Sequence, residues 1–269
     1  MRRILGKTLR TCLRALAILN RLLPKASGAR IITYHSVRPN GGTGPRSSYV
    51  DPNDFSRQME WLVDSGYQVV PLSRLVQQLE SGGSVSDRWL CITFDDGYAD
   101  NYIHAFPVLR RYGFPATIFL VTGKIGQDPE FLDPSHLTEM ATHGIEFGGH
   151  TVDHVSLSSV EPEEARRQIF ASRDQLERLS AAPLAHFCYP FGHFNQTVEG
   201  FVREAGYRSS CLEQAGPISP GTDPLRLTRV GVLGTDTLRD FALKVQGSYD
   251  WWINTYMLIE EWRRRKRGG

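Results

Sequence analysis

Alternation between two kinds of segment constrains this chain more than any other feature. Runs rich in β-branched and aromatic residues fall at 31–34, 67–70, 90–94, 116–121, 145–147, 185–189, 207–211 and 225–232,. Between them, helical stretches occupy 53–65, 72–81, 99–112, 134–143, 161–180, 195–205 and 236–247. Several open on start signals, among them Asp51-Pro52 and the acidic first turn Glu161-Pro162-Glu163-Glu164,. Strand and helix exchanging seven or eight times predict parallel βα units, hence a barrel or a doubly wound sheet,. No internal repeat or low-complexity linker interrupts the series, so the body reads as one domain. In either architecture, functional groups sit where strands end and loops begin.

Composition bounds the rest. The 269 residues are 41% hydrophobic and 22% charged, which excludes a disordered or collagen-like chain,. The net charge of +2 hides a division: residues 1–30 hold eight basic and no acidic residues, 31–250 hold 18 basic and 27 acidic, and 251–269 hold five basic and two acidic. A body at −9 is flanked by ends at +8 and +3. In segment 1–30, Arg3, Lys7, Arg10, Arg14, Arg21 and Lys25 share one helical face, opposite Leu5, Leu9, Cys12, Leu13, Leu16, Leu19 and Leu23. It reads as a basic amphipathic helix in an interface, against the alternative of a helix packed on the protein's own body. Only six uncharged residues separate Arg14 from Arg21. A cleavable signal needs an apolar core of roughly seven to fifteen residues and a membrane span roughly twenty, so neither is expected. Segment 249–269 repeats the theme, with Trp251, Trp252, Tyr256, Met257, Leu258, Ile259 and Trp262 ahead of the basic run 263–267. Tryptophan beside a polybasic run suits an anionic membrane surface, the alternative being a docked C-terminal helix with a basic tail. The catalytic body is then expected at 31–248. Its negative charge and lack of an aromatic-basic sheet motif argue against nucleic acid, and no protein partner is inferable. Cys12, Cys91, Cys188 and Cys211 form no C-x-x-C pair, so reduced thiols in the cytoplasm are expected, with the chain peripheral at the inner membrane face,.

Four polar constellations lie at strand ends. Thr93-Phe94-Asp95-Asp96-Gly97-Tyr98 sets two carboxylates after an apolar run. Adjacent anions resist joint ionisation unless a cation is near, so the pair invites a metal, one carboxylate as ligand and the other free as base; Asp-Asp-Gly is also ordinary turn chemistry. Gly148-Gly149-His150-Thr151-Val152-Asp153-His154 places two histidines four apart, able to face the same way if the backbone turns helically. Two histidines and a carboxylate form a usual divalent-metal set with positions left open. Tyr189-Pro190-Phe191-Gly192 forms a turn that offers a backbone N–H to an oxyanion while its aromatic lines a sugar face,. Thr33-Tyr34-His35-Ser36 ends the first strand on a histidine, for which a satisfied structural histidine is the plain alternative.

Together these motifs resemble the signature of the polysaccharide deacetylase superfamily, carbohydrate esterase family 4, over roughly residues 30–245. The resemblance implies an α/β fold, a distorted and incomplete (β/α) barrel of about seven parallel strands. It implies one divalent metal, Zn2+ first with Co2+, Mn2+ or Ni2+ as alternatives, held by Asp96, His150 and His154. Asp95 would be the general base, the backbone N–H of Phe191 would face the oxyanion, and Tyr98, Tyr189, Pro190 and Gly192 would form the substrate surface. Two departures stand out. Cys188 occupies the place where many members carry an arginine, and no late Leu-x-His motif supplies the acid. Tyr34-His35 resembles instead the N-terminal Tyr-His of the subgroup similar to poly-N-acetylglucosamine deacetylases, which makes His35 the general acid. Arg229 is assigned to replace the missing arginine in orienting Asp95, against a surface salt-bridging role. The expected activity is metal-dependent hydrolysis of the N-acetyl group of an amino sugar, in a polysaccharide or glycolipid. The alternatives are an O-deacetylase of a similar sugar, a non-catalytic carbohydrate-binding barrel, and an iron oxygenase using the same two-histidine, one-carboxylate set.

Overall fold

The computed structural model describes residues 27–40, 48–179 and 185–255. In chain order its elements are β1 (Arg30–Tyr34), β2 (Ser36–Val37), β3 (Tyr49–Val50), α1 (Pro52–Asp64), β4 (Gln68–Val69), α2 (Leu72–Glu80), β5 (Trp89–Phe94), α3 (Phe106–Tyr112), β6 (Ala116–Leu120), α4 (Pro134–Ala141), β7 (Ile145–Gly149), α5 (Pro162–Leu179), β8 (His186–Cys188), α6 (Gln196–Glu204), β9 (Ser209–Cys211), β10 (Val230–Gly231) and α7 (Leu238–Val245). Helix starts follow local chemistry. Asp51 accepts the Asn53 N–H ahead of Pro52, and Asp133 with His136 and Thr237 with Asp240 form reciprocal capping boxes,.

Strands β10, β1, β5, β6, β7, β8 and β9 lie side by side in that order, every pair parallel. They curl through 241° into an open half-barrel, as the family resemblance implied. β4 pairs with Trp89 and Leu90 at the start of β5, and β6 with Thr93 and Phe94 further along. Side chains alternate between two layers. Ile32, Ile92 and Ile118 join the helices in the outer core, while Ile31, Cys91, Phe119, Cys188, Cys211 and Leu227 form an inner cluster with Leu72, Leu75, Val76 and Leu79 of α2,. Helix α2 thereby plugs the N-terminal end of the barrel, and the strand ends at the other mouth carry the polar motifs.

Several expectations are corrected. The stretch 99–112 is not one α-helix: Asn101–Ala105 is a π-turn, with the Phe106 N–H bonded to the Asn101 carbonyl, and α3 begins after it. Pro107 lacks the N–H that an α-helical register would require, so the turn ahead of it widens. The run 225–232 is a single-turn 3-10 helix (Pro224–Arg226) followed by two strand residues. Here the chain crosses the open side of the barrel. Leu227 bonds to the β9 edge through Ser210 and Leu212 at 2.9 and 2.8 Å, whereas Val230 and Gly231 pair with β1, so no one ladder spans it. The short parallel pair β2–β3 has no counterpart in the sequence reading. The supposed N-terminal helix lies outside the described residues except at 27–30, where Ala29 bridges Ile218 and Arg30 is buried in β1, bonded to Asp250 at 2.6 Å. Arg30 is therefore not a free basic residue. Most of 249–269 is likewise outside the described residues, but Asn254 grips both backbone groups of Ala215 at 3.0 and 2.9 Å, so 250–255 packs on the body.

The plugged end also buries polarity. His186 is 3% exposed, with Nδ1 2.7 Å from Ser209 Oγ and Nε2 3.7 Å from Glu146. Glu146 accepts from Thr117 Oγ1 and from the Ser73 N–H at the start of α2, at 3.1 and 3.2 Å. Burial pushes the His186 pKa down to about 4 from 6.5, only partly opposed by Glu146. Below pH 6.5 the unfolded chain takes up this proton and the folded one does not, so stability is lost as pH falls to about 4. We expect urea denaturation to show stability falling as the pH drops below 6.5, with a visibly flatter profile for His186→Gln.

Candidate active site

Charge is buried at the other mouth only because it is paired. Arg229, 1% exposed, crosses the barrel interior and grips Asp95 with two parallel bonds, Nη1 to Oδ1 at 2.7 Å and Nη2 to Oδ2 at 2.8 Å. Its remaining donors reach the Leu212 carbonyl (3.0 Å), Thr33 Oγ1 (3.1 Å), Thr93 Oγ1 (3.3 Å) and Cys188 Sγ (3.0 Å). A surface salt bridge is thus excluded for Arg229. Burial alone would raise the Asp95 pKa, but the guanidinium charge and hydrogen bonds, with His150 and His35 nearby, hold it well below the carboxylate range,. Cys188 is small enough to leave room for the guanidinium, and burial keeps its thiol protonated,.

Asp96 and the two histidines come together from the ends of β5 and β7. His154 Nε2 lies 3.3 Å from Asp96 Oδ1 and His150 Nε2 3.7 Å, and one donor atom from each residue falls within 4.8 Å of the others. His150 Nδ1 sits 2.8 Å from the Cys188 carbonyl, which can only accept, so that nitrogen carries the proton and Nε2 presents a bare lone pair,. Burial lowers the His150 pKa, against the pull of Asp95 and Asp96, and favours the neutral ligating form,. The His154 and Asp96 side chains remain 32% and 13% exposed, leaving one side of the cluster open. These features fit a divalent cation with free coordination positions. The overlapping set Asp95, His150 and Cys188 does not, because the Arg229 guanidinium already occupies Asp95 and Cys188.

The histidines do not share a helical turn, as the spacing had suggested. Thr151 and His154 have φ of 67° and 56°, and the loop's backbone groups bond elsewhere: Thr122 and Gly123 N–H to the Thr151 and Val152 carbonyls, and Gln168 Oε1 to the Val152 and Asp153 N–H groups. Among the described residues, the non-glycine positions with positive φ are Asp96, Thr151, His154 and Phe191. All four belong to the candidate site. Such conformations cost about 1–3 kcal/mol each and persist where surrounding bonds hold them.

Phe191, with φ of 60°, heads the Pro190–Gly192 turn, is 46% exposed and packs edge-on against His154 at 4.7 Å. Two members of the expected substrate surface are misplaced. Tyr189 is fully buried, stacked on Phe194 and bonded to Ser210, and Pro190 is buried beneath the turn, so neither side chain can meet a ligand. Alternation along β8 sends Tyr189 to the outer core. Gly192 (φ 65°) shapes the turn. Tyr98 does face the site: burial and the neighbouring Asp96, Asp100 and Glu130 push its pKa up to about 12. With His35, Arg38, Asp100 and Glu130 it lines a groove of about 370 Å³. His35 lies with Asp95 and Glu213 in a second cluster of donor atoms within 4.8 Å, and its carbonyl accepts from Asn101 Nδ2 at 2.8 Å. Glu213 and Asn101 were not singled out in the sequence. Glu213 sits two residues past the end of β9, the same kind of position as the other motifs.

Comparisons with known proteins show which family the chain belongs to. The sequence profile described as Polysaccharide deacetylase matches residues 82–210. YxkH of Bacillus subtilis, which carries the same family name, is 32% identical over 202 residues, 75% of this chain and 70% of that protein. The poly-beta-1,6-N-acetyl-D-glucosamine N-deacetylase of Staphylococcus epidermidis is 25% identical over 228 residues, 76% of this chain and 78% of that protein. Among solved structures, the Streptococcus pyogenes deacetylase PplD in complex with acetate aligns with a TM-score of 0.75 at 23% identity, over 81% of this chain and 98% of that one. IcaB from Ammonifex degensii gives 0.73 at 22%, over 82% and 98%. The structural likenesses speak to the fold.

Removing one partner of the buried pair strands the other. Arg229→Met should lower unfolding free energy by about 3–5 kcal/mol in urea titrations, and adding Asp95→Asn should recover part of that loss.

Proposed function

The chain is a member of the polysaccharide deacetylase family, and from that premise we propose that it hydrolyses the N-acetyl group of an amino sugar in a polysaccharide or lipid-linked glycan, releasing acetate and leaving a free amine. The observation that carries this reading is an ionised carboxylate, Asp95, clamped by Arg229 and adjoining the donor set Asp96, His150 and His154. Pure carbohydrate binding would need no separate base beside such a set.

Asp96, His150 and His154 would hold the cation, two imidazoles with a carboxylate being a donor set that catalytic zinc sites use. A divalent ion bound there supplies Lewis-acid polarisation of the acetamide carbonyl and lowers the pKa of water. The Asp95 carboxylate takes one proton from the attacking water as its oxygen bonds to the carbonyl carbon. The Phe191 backbone N–H stabilises the negative charge that develops on the carbonyl oxygen. As the C–N bond breaks, the His35 imidazolium gives its proton to the departing amine. The two protons thus move at different residues. The relatives named as poly-N-acetylglucosamine deacetylases support an N-acetylhexosamine substrate.

The basic, apolar-faced segment 1–30 and the polybasic run 263–267 support attachment to an anionic membrane surface, with the enzyme peripheral at its cytoplasmic face,. Full-length protein should float with vesicles containing anionic lipid, and a chain lacking residues 1–26 should float less; equal soluble recovery of the two would discard the attachment.

Asp95→Asn should retain metal while acetate release from N-acetylated glycans falls by roughly 10²–10⁴-fold. His150→Ala and His154→Ala should instead lose stoichiometric metal by elemental analysis; full occupancy in both would refute the ligand assignment.

A further inference from the structure

The loop that carries both histidines is held from two sides. Thr151 and His154 sit at φ of 67° and 56°, conformations that persist only where surrounding structure fixes them,. On one side the loop after β6 presses in: the Thr122 and Gly123 N–H groups reach the Thr151 and Val152 carbonyls at 3.1 and 3.0 Å, and a Cβ on Gly123 would meet the Val152 oxygen at 2.8 Å. On the other side stands Gln168 of α5, fully buried. Its Oε1 accepts from the Val152 N–H at 2.9 Å and the Asp153 N–H at 3.0 Å. Its Nε2 donates to Asp153 Oδ2 at 2.6 Å and Glu164 Oε1 at 2.9 Å. Both acceptor positions and both amide protons of one side chain are thus engaged. The mechanism above gives this residue no part.

We infer that Gln168 is a positioning residue for the cation: by fixing Val152 and Asp153 it keeps His154 beside Asp96 before any ion arrives, and so sets how tightly the site retains its metal. The inference rests on the ligand set proposed above. His150 is anchored separately, through its N–H to the Leu120 carbonyl at 3.0 Å and its Nδ1 to the Cys188 carbonyl at 2.8 Å. His154 lies beyond the strained stretch, with its N–H bonded inside the loop to Thr151 Oγ1 at 3.0 Å, so its place depends on the loop as a whole. A ligand already in place binds without the entropy cost of ordering its segment; a freed loop would have to be ordered by the ion. An amide suits position 168 because two backbone N–H groups face one end of it and two carboxylates the other. A carboxylate there would keep the first pair of bonds but set like charges against Asp153 and Glu164.

Zinc affinity would be measured by competition with a chromophoric chelator on full-length wild type, Gln168→Met, Gln168→Glu, the double variant Gln168→Glu with Asp153→Asn, and His154→Ala. Thermal melting of the metal-free proteins would verify that each is folded. Gln168→Met should raise the zinc Kd by about 10–100-fold, the range typical of groups that orient metal ligands. Its acetate release from an N-acetylglucosamine oligomer should be weak at limiting zinc and recover as zinc is raised. Gln168→Glu should also weaken binding, and adding Asp153→Asn should restore part of it, because the new amide can donate to the new carboxylate; a side chain that merely fills space predicts no such rescue. Unchanged zinc affinity in Gln168→Met while His154→Ala has lost it, a double variant no tighter than Gln168→Glu, or an activity deficit that excess zinc leaves in place would each overturn the role of Gln168 alone. Undiminished affinity in His154→Ala would remove the ligand set and this inference with it.

Discussion

The pairing of Arg229 with Asp95 is the interaction on which the rest of the site depends. A lone carboxylate at 1% exposure inside a half-barrel would cost several kcal/mol or take up a proton,. The guanidinium removes that penalty and supplies more than charge. Its donors bond to groups on β1 and β5, on the β8 cysteine and on the loop after β9, so one side chain ties together strands that lie apart in the sheet. Asp95 is held as an anion in one orientation, and its neighbour Asp96 is thereby turned toward the histidines. Arg229 is itself delivered by the segment that crosses the open side of the barrel, so the fold's incompleteness and the site's central ion pair have a common origin.

Backbone strain is distributed the same way. Left-handed conformations at Asp96, Thr151, His154 and Phe191 place two metal-ligand candidates, their connecting residue and the oxyanion turn in geometries that ordinary local preferences oppose,. The histidine loop is held from outside by Thr122, Gly123 and Gln168, the Asp96 carbonyl by the Val121 N–H at 3.3 Å, and the Pro190–Gly192 turn by packing against Glu213. Rigid strands supply the frame, and the loops carry the strain.

Much of this was legible from residue patterns. Eight β-rich runs separated by helical stretches, with polar motifs at four of their ends, led to parallel βα architecture and to Asp95, Asp96, His150 and His154 as a group. What local patterns misjudged has identifiable causes. The four-residue histidine spacing resembles a helix, but partners remote in sequence claim the loop's hydrogen bonds. Pro107 widened a helix to a π-turn at the point where Asn101 supports the His35 carbonyl. Tyr189 shares its motif with Phe191 yet is buried in the outer core, because the strand's alternation carries it inward while the positive-φ turn at Phe191 swings that ring out to the mouth.

By itself the sequence determined the alternation, the strand ends that bear chemistry, and the types of group gathered there, since these follow from local periodicity and from what carboxylates and imidazoles can do. It also determined the charged character of both ends. Only the tertiary structure decided that Arg229 lies beneath Asp95, that Cys188 yields space to it, and that Glu213 gathers with His35 and Asp95. Those residues are separated by tens to more than a hundred positions, and which of them meet depends on how far the sheet curls before it stops.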